Sequence, residues 1–266
     1  MQSVKIGGLD VSRLVLGSNM FSGFSHVSPD KDREMIRYYT CARIKEALRR
    51  AESLGVNTII ARGDHHMLRV MLEYWDEGGA LKWFGQTCPE LGTPEKVLAT
   101  VAAYGAPACH IHGGQADHMV LNEQYDKLAA AVDFARRQGL VVGLAGHMTQ
   151  TIRWVEDNLD VDYYMCSYYN TIPRDLEAAH RAGVEEVYLD EDRQAMTDLI
   201  QTLERPVIHY KVMAAGRNDP EEAFDFAASR MRPGDACCVG VYTKDNSDML
   251  AQDARLLDAA LVRHGH

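Results

Sequence analysis

The sequence predicts an α/β protein built as a (β/α)8 barrel, and three observations carry that expectation. One junction recurs along the 266 residues: polar, helix-like residues, then a turn through Gly, Pro or Asp, then a short apolar, β-branched or aromatic run. Most of these runs follow one another at the length of one strand–helix unit, and there are eight of them. Polar and ionisable residues gather at the end of each run, where a barrel of this kind places its chemistry.

The first run is "SRLVLGSN", and the short "VKIGGLDV" before it alternates around a Gly-Gly turn, as a hairpin closing the barrel floor would. The next runs lie in "ESLGVNTII", "DEGGALKWFG", "AYGAPACHIHG" and "RRQGLVVGLAG". The last three lie in "DNLDVDYYMCS", "LERPVIHYKV" and "MRPGDACCVGV". Between them, stretches such as "DREMIRYYTCARIKEALRRAESLG" and "NEQYDKLAAAVDFARRQG" place apolar residues at helical spacing. No linker or low-complexity segment interrupts the pattern, so residues 1–266 read as one barrel domain. An open doubly wound sheet is the other arrangement of alternating strands and helices, but it usually closes with fewer units.

Composition narrows the function classes. The net charge of −10 and the lack of a basic run argue against nucleic acid or an anionic membrane as partner. No stretch has the roughly 20 apolar residues of a membrane helix, and no signal core opens the chain. Six cysteines without a CxxC pair read as reduced thiols in a cytoplasmic protein. The expected partner is a small-molecule substrate, with a homo-oligomer left open.

Two stretches carry a resemblance. "GLDVSRLVLGSNMFSG" resembles the opening of aldo-keto reductases, and "DVDYYMCSYYNTIPR" resembles their sixth strand and following turn. The order of segments agrees over most of the chain. The resemblance implies the barrel, NADP as cofactor, and a catalytic Asp and Tyr after the second strand, Lys on the third and His on the fourth. Alignment puts Ile60 at the Asp, His65 at the Tyr and no Lys at the end of the third strand, since Lys82 lies at its start. Only His112 falls on a catalytic position, while Cys166 stands where a nicotinamide-contacting Gln belongs. "MAAGRNDPEEAF" covers the region where the family meets the cofactor phosphates, which makes Arg217 and Asn218 the candidate cofactor- or substrate-binding pair.

The ionisable residues suggest other chemistry. His110 and His112 share one strand face, as do His209 and Lys211 on the seventh strand, with Ile208, Tyr210 and Val212 opposite. Arg62 and Asp64 end the second strand and His147 tops the fifth. An H-x-H pair aims two imidazoles at one point, which suits Zn, Mn, Fe or Co. The candidate metal set is therefore His110, His112, His147 and His209, with Asp64 as another ligand. Lys211, Asp64, His112 and Arg62 are the candidate catalytic residues. Lys211, desolvated among histidines, reads as a general base or Schiff-base nucleophile, unless a carboxylate braces it.

The leading expectation is a metal-assisted lyase, isomerase or epimerase for a small polyhydroxylated or sugar-like carbonyl compound. The first alternative is an NADP-dependent oxidoreductase with a non-standard proton donor such as His65 or Lys211. The second is a non-catalytic ligand-binding barrel. Tyr164 and Cys166 are expected to point inward, and residues 171–205 to form an extra element or lid from which Asp190 could reach the site. His118, His180, His264 and His266 carry no expected role.

Overall fold

The computed structural model describes residues 1–173 and 185–266; His180 and the middle of the 171–205 segment lie outside them. Strands β1 (Ser3–Ile6) and β2 (Leu9–Ser12) pair antiparallel around Gly7 and Gly8, both with left-handed φ. Eight parallel strands then close a barrel. They are β3 (Leu14–Gly17), β4 (Thr58–Arg62), β5 (Lys82–Gln86), β6 (Ala108–Ile111), β7 (Val141–Gly146), β8 (Tyr163–Ser167), β9 (Val207–Tyr210) and β10 (Ala236–Val239). They follow chain order around the barrel, and β10 closes on β3 through Cys238 opposite Val15. All eight expected strands are present.

Helices lie outside the strands, and several start where their sequence supplies a cap. Ser28 caps α1 (Pro29–Tyr38), Asp64 caps α3 (His65–Asp76), and Asp219 caps α9 (Pro220–Arg230). The long amphipathic stretch after the first strand is two helices. Thr40 ends the run and caps α2 (Cys41–Ser53), while the Tyr39 hydroxyl is anchored 2.7 Å from the Val241 carbonyl. Two further helices matter to the site: α5 (Gly113–Leu121) directly after β6, and α8 (Asp190–Ile200). Among the described residues no helix is long and apolar enough to cross a membrane.

Two apolar clusters separate the faces of the strands. One contains strand and hairpin residues only: Val15, Ile60, Phe84, Ala108, Ala145, Tyr163, Met165, Ile208, Ala236 and Cys238, sealed by Val4, Ile6 and Val11 of the hairpin. This is the barrel interior. A Cβ on Gly7 would lie 2.2 Å from Val141, which begins β7, so the hairpin presses onto the floor where glycine alone fits. The other cluster joins the alternate strand residues, such as Ile59, Trp83, Cys109, Tyr164, Cys166 and Val207, to the helices.

This division corrects two expectations. Tyr164 and Cys166 face the helices, with Tyr163 and Met165 inside. On β9 the apolar Ile208 faces inward with Tyr210 packed against that set, so His209 faces outward. Both faces of a barrel strand are buried, so apolar alternation does not mark which one is the interior.

Candidate functional site at the barrel mouth

His110 sits inside the barrel, fully buried, one step below the mouth. Its Nδ1 lies 3.3 Å from the Tyr163 hydroxyl and its Nε2 3.3 Å from Gln86 Oε1. Burial pushes its pKa down to about 3, so the ring is neutral. The consistent arrangement has the phenol donating to Nδ1 and Nε2–H donating to the amide oxygen. Gly143 makes room for this: a Cβ there would lie 2.2 Å from the Tyr163 ring. Both ring nitrogens are therefore committed to protein partners.

His147, at the end of β7, is held differently. Asp117, fully buried on α5, accepts the His147 backbone N–H at 3.0 Å and stands 2.8 Å from its Nδ1. On the other side, His147 Nε2 lies 3.2 Å from the hydroxyl of Tyr210, the last residue of β9. The carboxylate keeps the proton on Nδ1, which leaves Nε2 as an acceptor for the phenol. A Cβ on Gly113 would stand 2.8 Å from His147 Cε1 and 2.9 Å from the Tyr210 hydroxyl. Glycine at the start of α5 is what allows the three groups to meet. His112, immediately before it, N-caps α5, and its backbone N–H donates to Thr87 Oγ1 at 2.8 Å.

Lys211 does not continue the β9 alternation. Its φ of 59° is left-handed, and its ammonium reaches Thr171 Oγ1 at 3.2 Å and Glu186 Oε2 at 3.8 Å. Glu186 also accepts from His26 Nδ1 at 2.6 Å and from the Tyr188 hydroxyl at 2.8 Å. Burial alone would raise its pKa, but His26 and Lys211 hold its carboxyl well below the usual range. Arg217 lies over the Tyr188 ring and bonds the carbonyls of His26 and Ala214, with no carboxylate partner among the described residues. Asn218 braces this turn, donating to Tyr169 and to the Val212 carbonyl.

Other candidates are engaged elsewhere. Arg62 bonds Asp64 at 2.7 Å and pairs with Glu90, while Asp64 caps α3 through the Met67 N–H. His209 is fully buried on the outward face of β9, 2.9 Å from the Tyr168 hydroxyl and 3.4 Å from Asp235, so it braces the wall. His65 is exposed on α3 beside Leu68 and Arg69. Asp190 opens α8, exposed and paired with Arg193. The residues that sequence reasoning missed are Asp117, Tyr210, Glu186 and His26. Tyr210 was legible as a residue type at the right strand end, but on the wrong face.

No protein-family model matches the chain, and no curated protein sequence matches it. Solved structures do. An aldo-keto reductase from Bacillus halodurans in its holo form is 12% identical with a TM-score of 0.64, covering 99% of this chain and 95% of that one. A glycerol dehydrogenase from Gluconobacter oxydans is 12% identical with a TM-score of 0.57, covering 99% and 96%. A truncated 3-deoxy-D-arabino-heptulosonate 7-phosphate synthase from Thermotoga maritima is 13% identical with a TM-score of 0.54, covering 97% and 90%.

These findings correct the expectation of a metal-dependent lyase, isomerase or epimerase. The neighbours include several reductases and a dehydrogenase, which side with the oxidoreductase alternative. The proposed ligands also diverge: His110 is bound up inside the barrel, His209 lies outside it, and His147 is held by Asp117. Among the described residues, no three His, Cys, Asp or Glu side chains come together as a metal site. The chain has the fold of the aldo-keto reductases, a (β/α)8 barrel closed at its floor by an N-terminal hairpin.

Proposed function

We propose that this protein is a nicotinamide-dependent oxidoreductase interconverting a small carbonyl compound and its alcohol, with Tyr210 moving the proton. The observation that carries the reading is the Asp117–His147–Tyr210 chain at the mouth of a barrel shared with reductases. It replaces His65 and Lys211 as the proton donor: His65 is exposed on a helix, and the Lys211 ammonium is directed to Thr171 and Glu186. All six cysteines are free and five are buried, which supports a reducing, cytoplasmic setting.

The donor set at the end of β9 suits the phosphates of such a cofactor. His26, Lys211 and the Tyr188 hydroxyl already meet one anionic group, the Glu186 carboxylate, and Arg217 lies over the Tyr188 ring. The start of α9 does not suit a phosphate, because Asp219 caps it and Glu221 and Glu222 follow in its first turn. Lys211 and Arg217 are therefore the residues that would hold the cofactor, with Asn218 bracing their turn. When bound, the nicotinamide supplies the hydride in reduction and accepts it in oxidation.

The proton is the work of the chain. In reduction, the Tyr210 hydroxyl protonates the developing alkoxide, and the His147 imidazolium returns a proton from Nε2 to the phenolate that is left. In oxidation, His147 Nε2 draws the phenolic proton, so that Tyr210 can accept one from the alcohol. Asp117 stabilises the imidazolium that forms and keeps the ring oriented.

The test is consumption of NADPH or NADH by the purified protein with a panel of small aldehydes, ketones and hydroxy-ketones. Turnover that falls about 10²- to 10⁴-fold in Tyr210→Phe, with cofactor affinity unchanged, is the expected outcome. Full turnover in that variant removes Tyr210 from the mechanism.

A further inference from the structure

The polar relay inside the barrel has a fixed direction. The Tyr163 hydroxyl is sealed in the interior with one hydrogen-bond partner among the described residues, His110 Nδ1. It must donate to that nitrogen, because a proton on Nδ1 instead would leave the hydroxyl hydrogen orphaned. His110 therefore carries its own proton on Nε2 and donates it to Gln86 Oε1. That bond fixes the Gln86 amide, with its oxygen toward His110 and its NH2 group left over.

Gln86 ends β5 on the inward face, two residues beyond Phe84 of the barrel interior. Its Nε2 bonds no acceptor among the described residues and is not sealed from solvent. A relay that served the fold alone would finish on an acceptor within the protein. This one finishes on a donor at the mouth. In the ring of eight strands β5 stands opposite β9, so a substrate whose carbonyl meets Tyr210 presents its far side to Gln86.

Charge narrows what that donor can hold. Arg62 is the register partner of Gln86 on β4 and shares the inward face with Ile60. Its charge is already met twice, by Asp64 at 2.7 Å and by Glu90. This side of the mouth has no spare positive charge, which disfavours a carboxylate or phosphate beside the Gln86 amide. An uncharged oxygen meets no such penalty.

We infer that the Gln86 amide is the substrate anchor of the mouth, donating to a second, uncharged oxygen of a hydroxy-ketone or hydroxy-aldehyde. His110 and Tyr163 are positioning residues that hold this donor in place. The inference rests on the oxidoreductase reading for the reacting carbonyl and adds the group beside it.

Nitrogen-15 spectra of the labelled full chain, titrated with hydroxyacetone, butanone and pyruvate with and without NADP⁺, test it. The three compounds share an acetyl group and differ in the group beside the carbonyl. The Gln86 side-chain NH2 signals, identified by their loss in Gln86→Leu, should move with hydroxyacetone. Its affinity should be about tenfold above that of butanone or pyruvate. The preference should vanish in Gln86→Leu and in Gln86→Glu, which keeps an acceptor for His110 but has no donor. In Tyr163→Phe the His110 ring should lose its fixed Nε2 proton and the preference should fall with it, which a merely structural hydroxyl would not cause. Unmoved Gln86 signals, a preference that survives both Gln86 variants, or pyruvate bound as tightly as hydroxyacetone overturns the anchor. Binding is read without hydride transfer. A protein that binds hydroxyacetone through Gln86 yet never oxidises NADPH loses the oxidoreductase reading and keeps the anchor.

Discussion

His147 and Tyr210 meet 3.2 Å apart although they end strands that are not neighbours, β7 and β9. Asp117, on the helix after β6, completes the line from the other side at 2.8 Å. A buried carboxylate, an oriented imidazole and a phenol in series form a proton path with a defined direction. The tautomer is fixed by the Asp117 side, and the exchangeable proton lies on the Tyr210 side.

That order is open to direct measurement. Nitrogen-15 spectra of the histidine rings should show His147 protonated at Nδ1 and bare at Nε2 near neutral pH. Asp117→Asn should lose that preference and lower turnover by about two or more orders of magnitude. A parent spectrum with the proton on Nε2 contradicts the arrangement.

Gly113 is placed to separate catalysis from stability. A methyl group there meets the His147 ring and the Tyr210 hydroxyl within 3 Å. Gly113→Ala should therefore cost about tenfold or more in turnover while the chain still folds cooperatively, read by activity beside thermal denaturation. Equal activity in the variant shows that the two groups need no close approach.

Gly143 should behave in the opposite way. A Cβ there would run into the Tyr163 ring at 2.2 Å, deep inside the barrel. Gly143→Ala should destabilise the fold by about 1–3 kcal/mol, measured by denaturant unfolding, because an overpacked core relaxes poorly. His110 would lose its hydroxyl partner in the same step.

His110 and Asp253 give opposite pH slopes. His110 has a folded pKa of about 3, below its unfolded value, so the unfolded chain binds the extra proton and stability falls as pH drops from about 6.5 toward 3. Asp253, on α10 (Met249–Arg263), is pushed up to about 7 by burial. The folded chain then holds the extra proton, and stability falls as pH rises from about 4 through 7. Asp253→Asn should raise the melting temperature at pH 8, with the gain shrinking toward pH 4. A gain that grows on acidification contradicts the assignment.

Much of this architecture was legible in the chain. The turn-then-apolar junctions mark all eight strands, and the Gly-Gly turn marks the floor hairpin. The side facing inward was not legible on β8 or β9, because barrel strands are buried on both faces, and "VIHYKV" offers a polar residue to either. Reading Ile208 and Tyr210 as outward moved His209 and Lys211 into an interior they do not share. Asp117 was hidden for another reason: it lies 30 residues before His147, and only the packing of α5 against β7 joins them. Glu186 likewise acquires meaning only from His26, 160 residues away.

The most direct test of the central claim is a paired measurement on the parent protein and Tyr210→Phe. NADPH affinity is read by fluorescence, and hydride transfer to a carbonyl compound by absorbance. The proposal requires NADPH to bind both proteins alike and transfer to fall at least a hundredfold in the variant. Failure of the parent protein to bind either nicotinamide nucleotide, or undiminished transfer without the Tyr210 hydroxyl, would contradict it.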